Sequence, residues 1–263
     1  MPDAMVLNFM NKEELRMKYN YIKQGDCLEL MKELEDNSVD VCFTSPPYND
    51  TGTKNERVEK VEHNNTHKKY LHVENRKDWY EWMCECIDEM RRISKKYVLF
   101  NVQGIKNNRR DLYRLIGKYS DCIHDIVIWY KPNGSPTGTP HKLSNKYEML
   151  LIIKSPGVKG FDAQSKYYTN VIVQNINSNK EFAKIHRAVM SKGFCDEVIK
   201  EFTSPGDIVL DPFFGMGTTG VCCFEQGRKY IGFELYQEYV DKAQERIDKL
   251  GLEKQNLDLS CLD

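Results

Sequence analysis

The stretch Thr44-Ser45-Pro46-Pro47-Tyr48 holds a hydroxyl, bare carbonyl groups and an aromatic ring close together. Two consecutive prolines fix φ and remove two N–H donors, so the carbonyl groups of Ser45 and Pro46 are left to accept hydrogen bonds. These groups suit the binding of a planar heterocycle through its exocyclic amine, with the Tyr48 ring stacked on it. The alternative is an ordinary Pro-Pro turn with a packed tyrosine, and this stretch alone does not decide between them.

A glycine-rich turn, residues 211–220 (DPFFGMGTTG), follows a predicted strand and precedes a predicted helix. Gly215, Gly217 and Gly220 match the G-x-G-x-x-G pattern of dinucleotide-binding proteins, in which a helix amino end binds a pyrophosphate. However, an acid and two aromatic rings precede the first glycine. Glu234 follows Gly220 by fourteen residues, whereas that pattern expects its acid after about 20. A nicotinamide-dependent oxidoreductase is therefore the disfavoured alternative.

An anion at this turn suits a cationic ligand that carries an amino acid group and a nucleoside. S-adenosylmethionine is such a ligand, and its sulfonium carries a transferable methyl group. We expect Asp211 and the turn to bind the ammonium and carboxylate groups, and Glu234 to bind the ribose hydroxyls. We expect Leu235 to cover one adenine face and Asp26 or Cys27 to contact the adenine edge.

The elements that must position these groups alternate between strands and helices. Short apolar runs predict strands at 21–24, 39–43, 97–102, 123–130, 147–153, 208–210 and 230–233. Helical spacing of apolar residues predicts helices between most of them, for example at 78–92. This alternation favours a doubly wound, largely parallel sheet, in which Asp26, Ser45, Asp211 and Glu234 converge at one crevice because each follows a strand.

Two segments interrupt the alternation. The polar segment at about 49–77 is too long and irregular for an ordinary connection, so it predicts a mobile loop beside the site. The segment at about 134–184 predicts a small insertion that contacts the target. Both are expected to belong to a single domain that spans residues 1–263.

Composition restricts the class of protein. The chain has 263 residues, a net charge of -1 and nine cysteines without a C-x-x-C pair, so we expect reduced thiols and no metal site. No apolar run is long enough to cross a bilayer, and the start lacks a basic region followed by an apolar one. These features predict a cytoplasmic location and no membrane partner. A basic segment at 91–118 could face phosphates, although a solvated helix face explains most of it.

Together the motifs resemble a known family. TSPPY, an F-x-G-x-G loop within DPFFGMGTTG and the acid in GFEL are similar to the amino-methyltransferases of DNA, in the permuted class whose catalytic motif precedes the cofactor loop. The resemblance covers nearly the whole chain and implies a mostly parallel, seven-stranded sheet with S-adenosylmethionine as the cofactor. Where this family often has a His-Pro stretch, the chain has His186-Arg187-Ala188-Val189-Met190.

The resemblance assigns roles to individual residues. The implied catalytic residues are Ser45, Pro46, Pro47 and Tyr48. The implied cofactor-binding residues are Asp26, Cys27, Thr44, Asp211, Pro212, Phe213, Phe214, Gly215, Gly217, Thr218, Thr219, Glu234 and Leu235. The candidate DNA-binding residues are Lys54, Arg57, Lys68, Lys69, Arg109, Arg110, Lys131 and Asn133.

The resemblance also suggests the reaction. A serine at the position of Ser45 is similar to enzymes that act on cytosine N4, whereas an aspartate is usual in those that act on adenine N6. The target base must leave the duplex stack, because an amine inside a duplex cannot meet a methyl donor in line. We therefore expect methylation of cytosine N4 in DNA, with a cognate restriction endonuclease as a possible partner. Adenine N6, an RNA substrate and a module that binds cofactor without catalysis are the alternatives.

Overall fold

A computed structural model of the chain describes residues 19–47, 79–104, 109–134, 143–161, 163–165, 167–176 and 189–260, with side chains up to residue 252. The described strands are β1 (Tyr21–Gln24), β2 (Val39–Thr44), β3 (Ser94–Val102), β4 (Ile123–Tyr130), β5 (Tyr147–Lys154), β6 (Val171–Val173), β7 (Ile208–Asp211) and β8 (Lys229–Glu234). The described helices are α1 (Cys27–Lys32), α2 (Trp79–Ile93), α3 (Arg109–Lys118), α4 (Lys192–Phe202), α5 (Thr218–Glu225) and α6 (Gln237–Ser260).

The described strands form one sheet in the order β1-β8-β7-β2-β3-β5-β4-β6. The pairs from β1 to β3 are all parallel. Only β5 runs against its neighbours β3 and β4, while β6 pairs with β4 in parallel. The carboxyl ends of β1, β2, β3, β7 and β8 therefore meet at one edge, together with the beginning of β5.

Helices cover both faces of the sheet. In β2 the side chain of Cys42 packs in the cluster formed with α1, α2 and α3, whereas those of Val41 and Phe43 pack in the cluster formed with α4, α5 and α6. This alternation is the two-residue period of a strand that is buried on both sides. The predicted α/β fold with a doubly wound, mostly parallel sheet is therefore confirmed.

The apolar face of α2 shows why these helices dock. Trp79, Met83, Cys86, Ile87 and Met90 recur at helical spacing, and each is fully buried. A stripe of this kind is stable only against another apolar surface, because burying it removes apolar surface from contact with water, at roughly 25 cal/mol per Å². The helix predicted at 78–92 is thus observed with nearly the same limits.

Two expectations from the sequence need correction. The described sheet has eight strands rather than seven, because Val171–Val173 adds an edge strand that buries only Ile172. Helical spacing of apolar residues predicts a terminal helix over 237–250, whereas the observed helix continues to Ser260. The edge strand and β5 both lie within the expected insertion at 134–184, while the loop expected at 49–77 lies outside the described residues.

Within the described residues, no helix combines the length and the apolar character that crossing a bilayer requires.

Candidate active site

A cavity of about 410 Å³ opens at the edge of the sheet where the parallel strands end. Ser45 and Pro46 line it after β2, Asp211 lines it at the end of β7, and Glu234 lines it at the end of β8. The volume falls within the range of about 300–1,000 Å³ that is typical of small-molecule sites. One cavity thus contains both the Ser-Pro-Pro stretch and the glycine turn.

The Asp211 carboxylate connects the segments that line this cavity through hydrogen bonds. Its Oδ1 accepts hydrogen bonds from Thr44 Oγ1 at 2.6 Å and from the Phe213 backbone N–H at 3.0 Å. Its Oδ2 accepts one from Thr219 Oγ1 at 2.6 Å. Burial raises the pKa of Asp211 to about 6, although these three hydrogen bonds favour the charged form. The group therefore joins the end of β2 to the glycine turn and still carries a negative charge at neutral pH.

Glu234 fixes the other side of the turn. Its Oε2 accepts the Gly215 backbone N–H at 2.8 Å, and its Oε1 accepts the Tyr236 backbone N–H at 3.0 Å. Burial raises the pKa of Glu234, while these backbone donors oppose the increase. Each carboxylate oxygen has a second lone pair, so the group can accept further hydrogen bonds from a ligand in the cavity.

The glycine turn is shaped by the Phe214 ring beneath it. Gly217 adopts φ of 73° just before α5 begins at Thr218, a conformation that side chains with a Cβ rarely adopt. Gly215, with φ of 50°, faces open space on the cavity side. Predicted cofactor residues on this turn that line the cavity are Pro212, Phe213, Phe214, Gly215, Thr218 and Thr219, and Gly217 lies behind them.

The ends of β1 and β8 close the far side of the cavity. Asp26 lines the cavity there and caps α1, because its Oδ1 accepts the Leu28 backbone N–H at 2.9 Å. Cys27 is buried but lines the cavity. Leu235 is 43% exposed and presents an apolar surface there. An acid and an exposed leucine at the mouth are suited to the edge and the face of a planar heterocycle.

The Ser-Pro-Pro stretch is held rigidly at the opposite end. Trp79 Nε1 donates a hydrogen bond to the Pro47 backbone oxygen at 2.9 Å, which fixes the chain after the second proline. Pro46 is buried and Ser45 is partly buried, and both line the cavity. Thr44 precedes Ser45 in the chain, and its hydroxyl donates a hydrogen bond to the Asp211 carboxylate. Tyr48 lies outside the described residues.

A polar cluster beside Ser45 was missed by sequence reasoning. Asn101 Nδ2 donates to Glu148 Oε2 at 2.6 Å, and Lys131 Nζ donates to Glu148 Oε1 at 3.0 Å. Asn101 and Glu148 both line the cavity. A polar residue within an otherwise apolar strand, as in VLFNV and YEMLL, is the signal that could have found them, because buried polar groups need a partner.

The candidate DNA-binding residues are distributed unevenly. Arg109 and Arg110 are exposed at the start of α3. Lys131, by contrast, is 6% exposed and paired with Glu148, so its ammonium faces the protein interior. Asn133 Oδ1 accepts the Ile176 backbone N–H at 2.8 Å. Lys54, Arg57, Lys68 and Lys69 lie outside the described residues.

Within the part of the chain that the structure describes, no group of three or more His, Cys, Asp or Glu side chains is arranged to hold a metal ion. The carboxylates of the cavity instead accept hydrogen bonds from backbone and hydroxyl groups.

Comparison with known proteins identifies related chains. The profile of a protein family described as DNA methylase matches residues 39–245, which include both motifs. The Type II methyltransferase M.HinfI of Haemophilus influenzae is 28% identical over 271 residues, covering 97% of this chain and 75% of that protein.

Solved structures resemble the chain in fold. M1.HpyAVI in complex with SAM is 21% identical with a TM-score of 0.60, covering 86% of this chain and 98% of that one. The cytosine-N4-specific PvuII DNA methyltransferase is 19% identical with a TM-score of 0.61, covering 85% of this chain and 84% of that one. At these identities the likeness supports the fold alone.

Proposed function

The chain belongs to the DNA methylase family, and from this premise we propose that it transfers a methyl group from S-adenosylmethionine to N4 of cytosine in DNA. The observation that carries the proposal is the single cavity in which Ser45 and Pro46 lie with Asp211, the glycine turn and Glu234. It places acceptors for an exocyclic amine in the same space as acids suited to an amino acid and a ribose.

The residues present fit the cofactor. The buried Asp211 carboxylate suits an ammonium, and the remaining lone pairs of Glu234 suit the hydroxyls of a ribose. Gly215 leaves room above the turn, since a Cβ there would meet only the Phe213 backbone oxygen, at 4.0 Å. The cofactor would supply an electrophilic methyl group from its sulfonium.

Ser45 and Pro46 would act on the target amine. The Ser45 hydroxyl and the Pro46 carbonyl accept the amine hydrogens, which holds the nitrogen lone pair out of conjugation with the ring. This orientation makes the nitrogen more nucleophilic, and no covalent bond to the protein is required. A base within a duplex cannot enter a cavity of this kind, so the target nucleotide must rotate out of the stack.

The product of the reaction tests the proposal. The protein is incubated with DNA and labelled cofactor, the DNA is digested to nucleosides, and the labelled base is identified by mass. N4-methylcytosine supports the proposal. N6-methyladenine would overturn the choice of base and leave the chemistry standing, since any exocyclic amine can donate to these acceptors. 5-Methylcytosine would overturn both, because that reaction needs a cysteine nucleophile.

Ser45→Ala tests the assigned mechanism. The variant removes one preorganised polar contact with the amine, so the rate should fall on the order of 10²–10³-fold. Cofactor affinity, measured by calorimetry, should be nearly unchanged because Ser45 lies at the other end of the cavity from Glu234. A variant with the wild-type rate would contradict the role of the hydroxyl.

The partner assignments belong to the same proposal. DNA is the substrate that family membership supports, and the same assay with RNA in place of DNA tests the alternative. A cognate restriction endonuclease and a cytoplasmic location stay predictions from the sequence.

A further inference from the structure

Arg246 of α6 is a partly buried cation that contacts the glycine turn. Its Nη1 atom donates hydrogen bonds to the Met216 backbone oxygen at 2.9 Å and to Thr218 Oγ1 at 3.3 Å. Met216 and Thr218 both line the cavity, whereas Arg246 does not. The guanidinium therefore acts on two residues of the cavity wall without itself facing the cavity.

Close packing of α6 on the turn fixes the position of Arg246. A Cβ on Gly217 would come within 2.8 Å of Ala243 Cβ, and one on Gly220 would come within 2.9 Å of Ile247 Cδ1. Ala243 and Ile247 are buried in this contact. Residues three and four apart lie on the same face of a helix, so Arg246 faces the turn together with Ala243 and Ile247.

The contact with Arg246 determines what the Thr218 hydroxyl can do. A guanidinium only donates hydrogen bonds, so Thr218 Oγ1 is the acceptor in this contact. The hydroxyl hydrogen of Thr218 has no acceptor among the described residues, and Thr218 is 5% exposed at the cavity wall. The next hydroxyl, that of Thr219, is already used because it donates to Asp211 Oδ2. Thr218 is thus the hydroxyl of this turn that can donate to a ligand.

The amino end of α5 provides further donors at the same place. Helix α5 begins at Thr218, and no side-chain hydrogen bond caps it. The first N–H groups of a helix have no acceptor within the helix, and the helix dipole adds a positive potential there. Burial lowers the pKa of Arg246, but a guanidinium stays protonated at neutral pH. A hydroxyl donor, N–H donors and a nearby cation together suit a carboxylate.

The amino acid end of S-adenosylmethionine carries such a carboxylate. Its ammonium and carboxylate share one carbon atom, so their two sites must be neighbours. Asp211, which suits the ammonium, accepts a hydrogen bond from Thr219 at 2.6 Å, and Thr219 follows Thr218 in the chain. The required neighbourhood is therefore present.

We propose that Arg246 is a positioning residue for the cofactor carboxylate. It holds Thr218 in the orientation in which the hydroxyl and the first N–H groups of α5 bind that carboxylate, and its charge adds to the positive potential there. This inference rests on the cofactor assignment of the proposed function and extends it to a residue outside the cavity.

Decarboxylated S-adenosylmethionine tests the proposal, because it keeps the ammonium, the sulfonium and the nucleoside. In calorimetric titrations without DNA, wild type should bind it at least about tenfold more weakly than S-adenosylmethionine. Arg246→Met should bind S-adenosylmethionine about tenfold more weakly than wild type. Its affinity for the decarboxylated analogue should change by less than about twofold. Loosening of the turn alone would weaken both ligands by the same factor, because they share the ammonium and nucleoside sites.

Two further variants complete the test. Lys249→Met is the matched control, because Lys249 is exposed in the same helix, does not line the cavity and carries the same charge. The control should keep the wild-type affinity for both ligands. Thr218→Val removes the hydroxyl that contacts the ligand and does not depend on how Arg246→Met folds. It should also lose about tenfold in affinity for S-adenosylmethionine and keep its affinity for the analogue.

The outcomes separate this inference from the proposed function. Losses confined to S-adenosylmethionine support the inference. It is overturned by a wild type that binds both ligands equally, by a loss in Arg246→Met or Thr218→Val that is no larger for S-adenosylmethionine than for the analogue, or by an equal loss in the control. A wild type that binds S-adenosylmethionine but forms no N4-methylcytosine would overturn the proposed reaction and leave these titrations valid.

Discussion

Asp211 shows how a single carboxylate can serve both the fold and the site. It is 3% exposed, and burial raises its pKa to about 6 despite three hydrogen bonds. At neutral pH the protein therefore keeps a mostly ionised carboxylate in a buried position, and its burial costs stability. A cationic ligand bound in the cavity would offset this cost, and acids with a perturbed pKa cluster at functional sites.

The cost of burying the ionised Asp211 carboxylate should appear in the pH dependence of the unfolding free energy. A carboxyl whose pKa is raised in the folded state stabilises the fold below its unfolded pKa, 3.8, and loses that contribution as pH rises through about 6. Asp211→Asn cannot titrate. The unfolding free energy of wild type relative to Asp211→Asn should therefore fall by roughly 2 kcal/mol between about pH 4 and pH 7, measured by chemical denaturation. A difference that does not change with pH would contradict the assignment.

Cofactor binding should depend on the same charge. We expect the affinity of Asp211→Asn for S-adenosylmethionine to be at least about tenfold weaker than wild type at about pH 7.5, which is about 1.4 kcal/mol. Wild-type affinity should itself weaken as pH falls below about 6, since the carboxylate becomes neutral. Calorimetry over a pH series measures both. Equal affinity of a folded variant would exclude Asp211 from the ammonium site.

At the scale of elements, the glycine turn and its neighbours pack closely around the Phe214 ring. A Cβ on Gly232 of β8 would come within 2.5 Å of the Phe214 ring, and one on Gly220 of α5 would come within 2.6 Å. Gly232 also pairs with Asp211 across the sheet. The ring thus joins the turn, α5 and β8 into one unit. These glycines are required for packing, whereas only Gly217 and Gly215 of this group use a positive φ.

Two glycine substitutions should have opposite effects. Gly232→Ala must displace Phe214, so we expect a loss of about 1–3 kcal/mol of stability together with weaker cofactor binding. Gly117→Ala is the matched control, because Gly117 is exposed in α3 and a Cβ there meets nothing within 4 Å. It should stabilise the protein by about 0.5–1 kcal/mol. Thermal unfolding and calorimetry distinguish the two, and equal effects would contradict the packing argument.

How much could be predicted from the sequence also differs between elements. Strand ends were predictable because apolar runs end at Asp26, Ser45, Asp211 and Glu234, and parallel strands bring those ends together. The contact between Asn101 and Glu148 could not be predicted, because it depends on the antiparallel register in which Asn101 pairs with Leu150. Lys131 shows the same limit, since it was a candidate DNA-binding residue in the sequence and the fold buries it in a pair with Glu148.

At the scale of the whole molecule, charge is balanced locally as well as overall. The net charge is -1, and most described cations of the basic segment at 91–118 have carboxylate partners. These are Arg91 with Asp88, Arg92 with Glu89 and Asp36, Lys95 with Asp40, Lys96 with Asp207, Arg114 with Asp111, and Lys118 with Asp88. Arg109 and Arg110 form no ion pair with a described residue. Among the described residues of the segment, the attraction expected for DNA phosphates therefore narrows to these two.

Their position makes them the best candidates for a contact with DNA phosphates. Arg109 and Arg110 begin α3, which follows the carboxyl end of β3, so they lie at the same edge of the sheet as the cavity. A DNA strand that delivers a base to Ser45 must pass this edge of the β-sheet. Because each phosphate contact releases a counterion, the logarithm of the binding constant falls with the logarithm of salt concentration by about 0.9 per contact in duplex DNA.

Replacing Arg109 and Arg110 by Gln should therefore weaken DNA binding and reduce that slope by up to about 1.8, if both contact phosphates. Lys200→Gln with Lys249→Gln is the matched control, since it makes the same change in net charge. Lys200 lies near the end of α4 that leads to the amino end of β7, and Lys249 lies about 18 Å along α6 from its start. Fluorescence anisotropy across a salt series measures both pairs. Equal changes in the two would mean that overall charge governs binding. An unchanged slope in the arginine pair would mean that neither guanidinium contacts a phosphate.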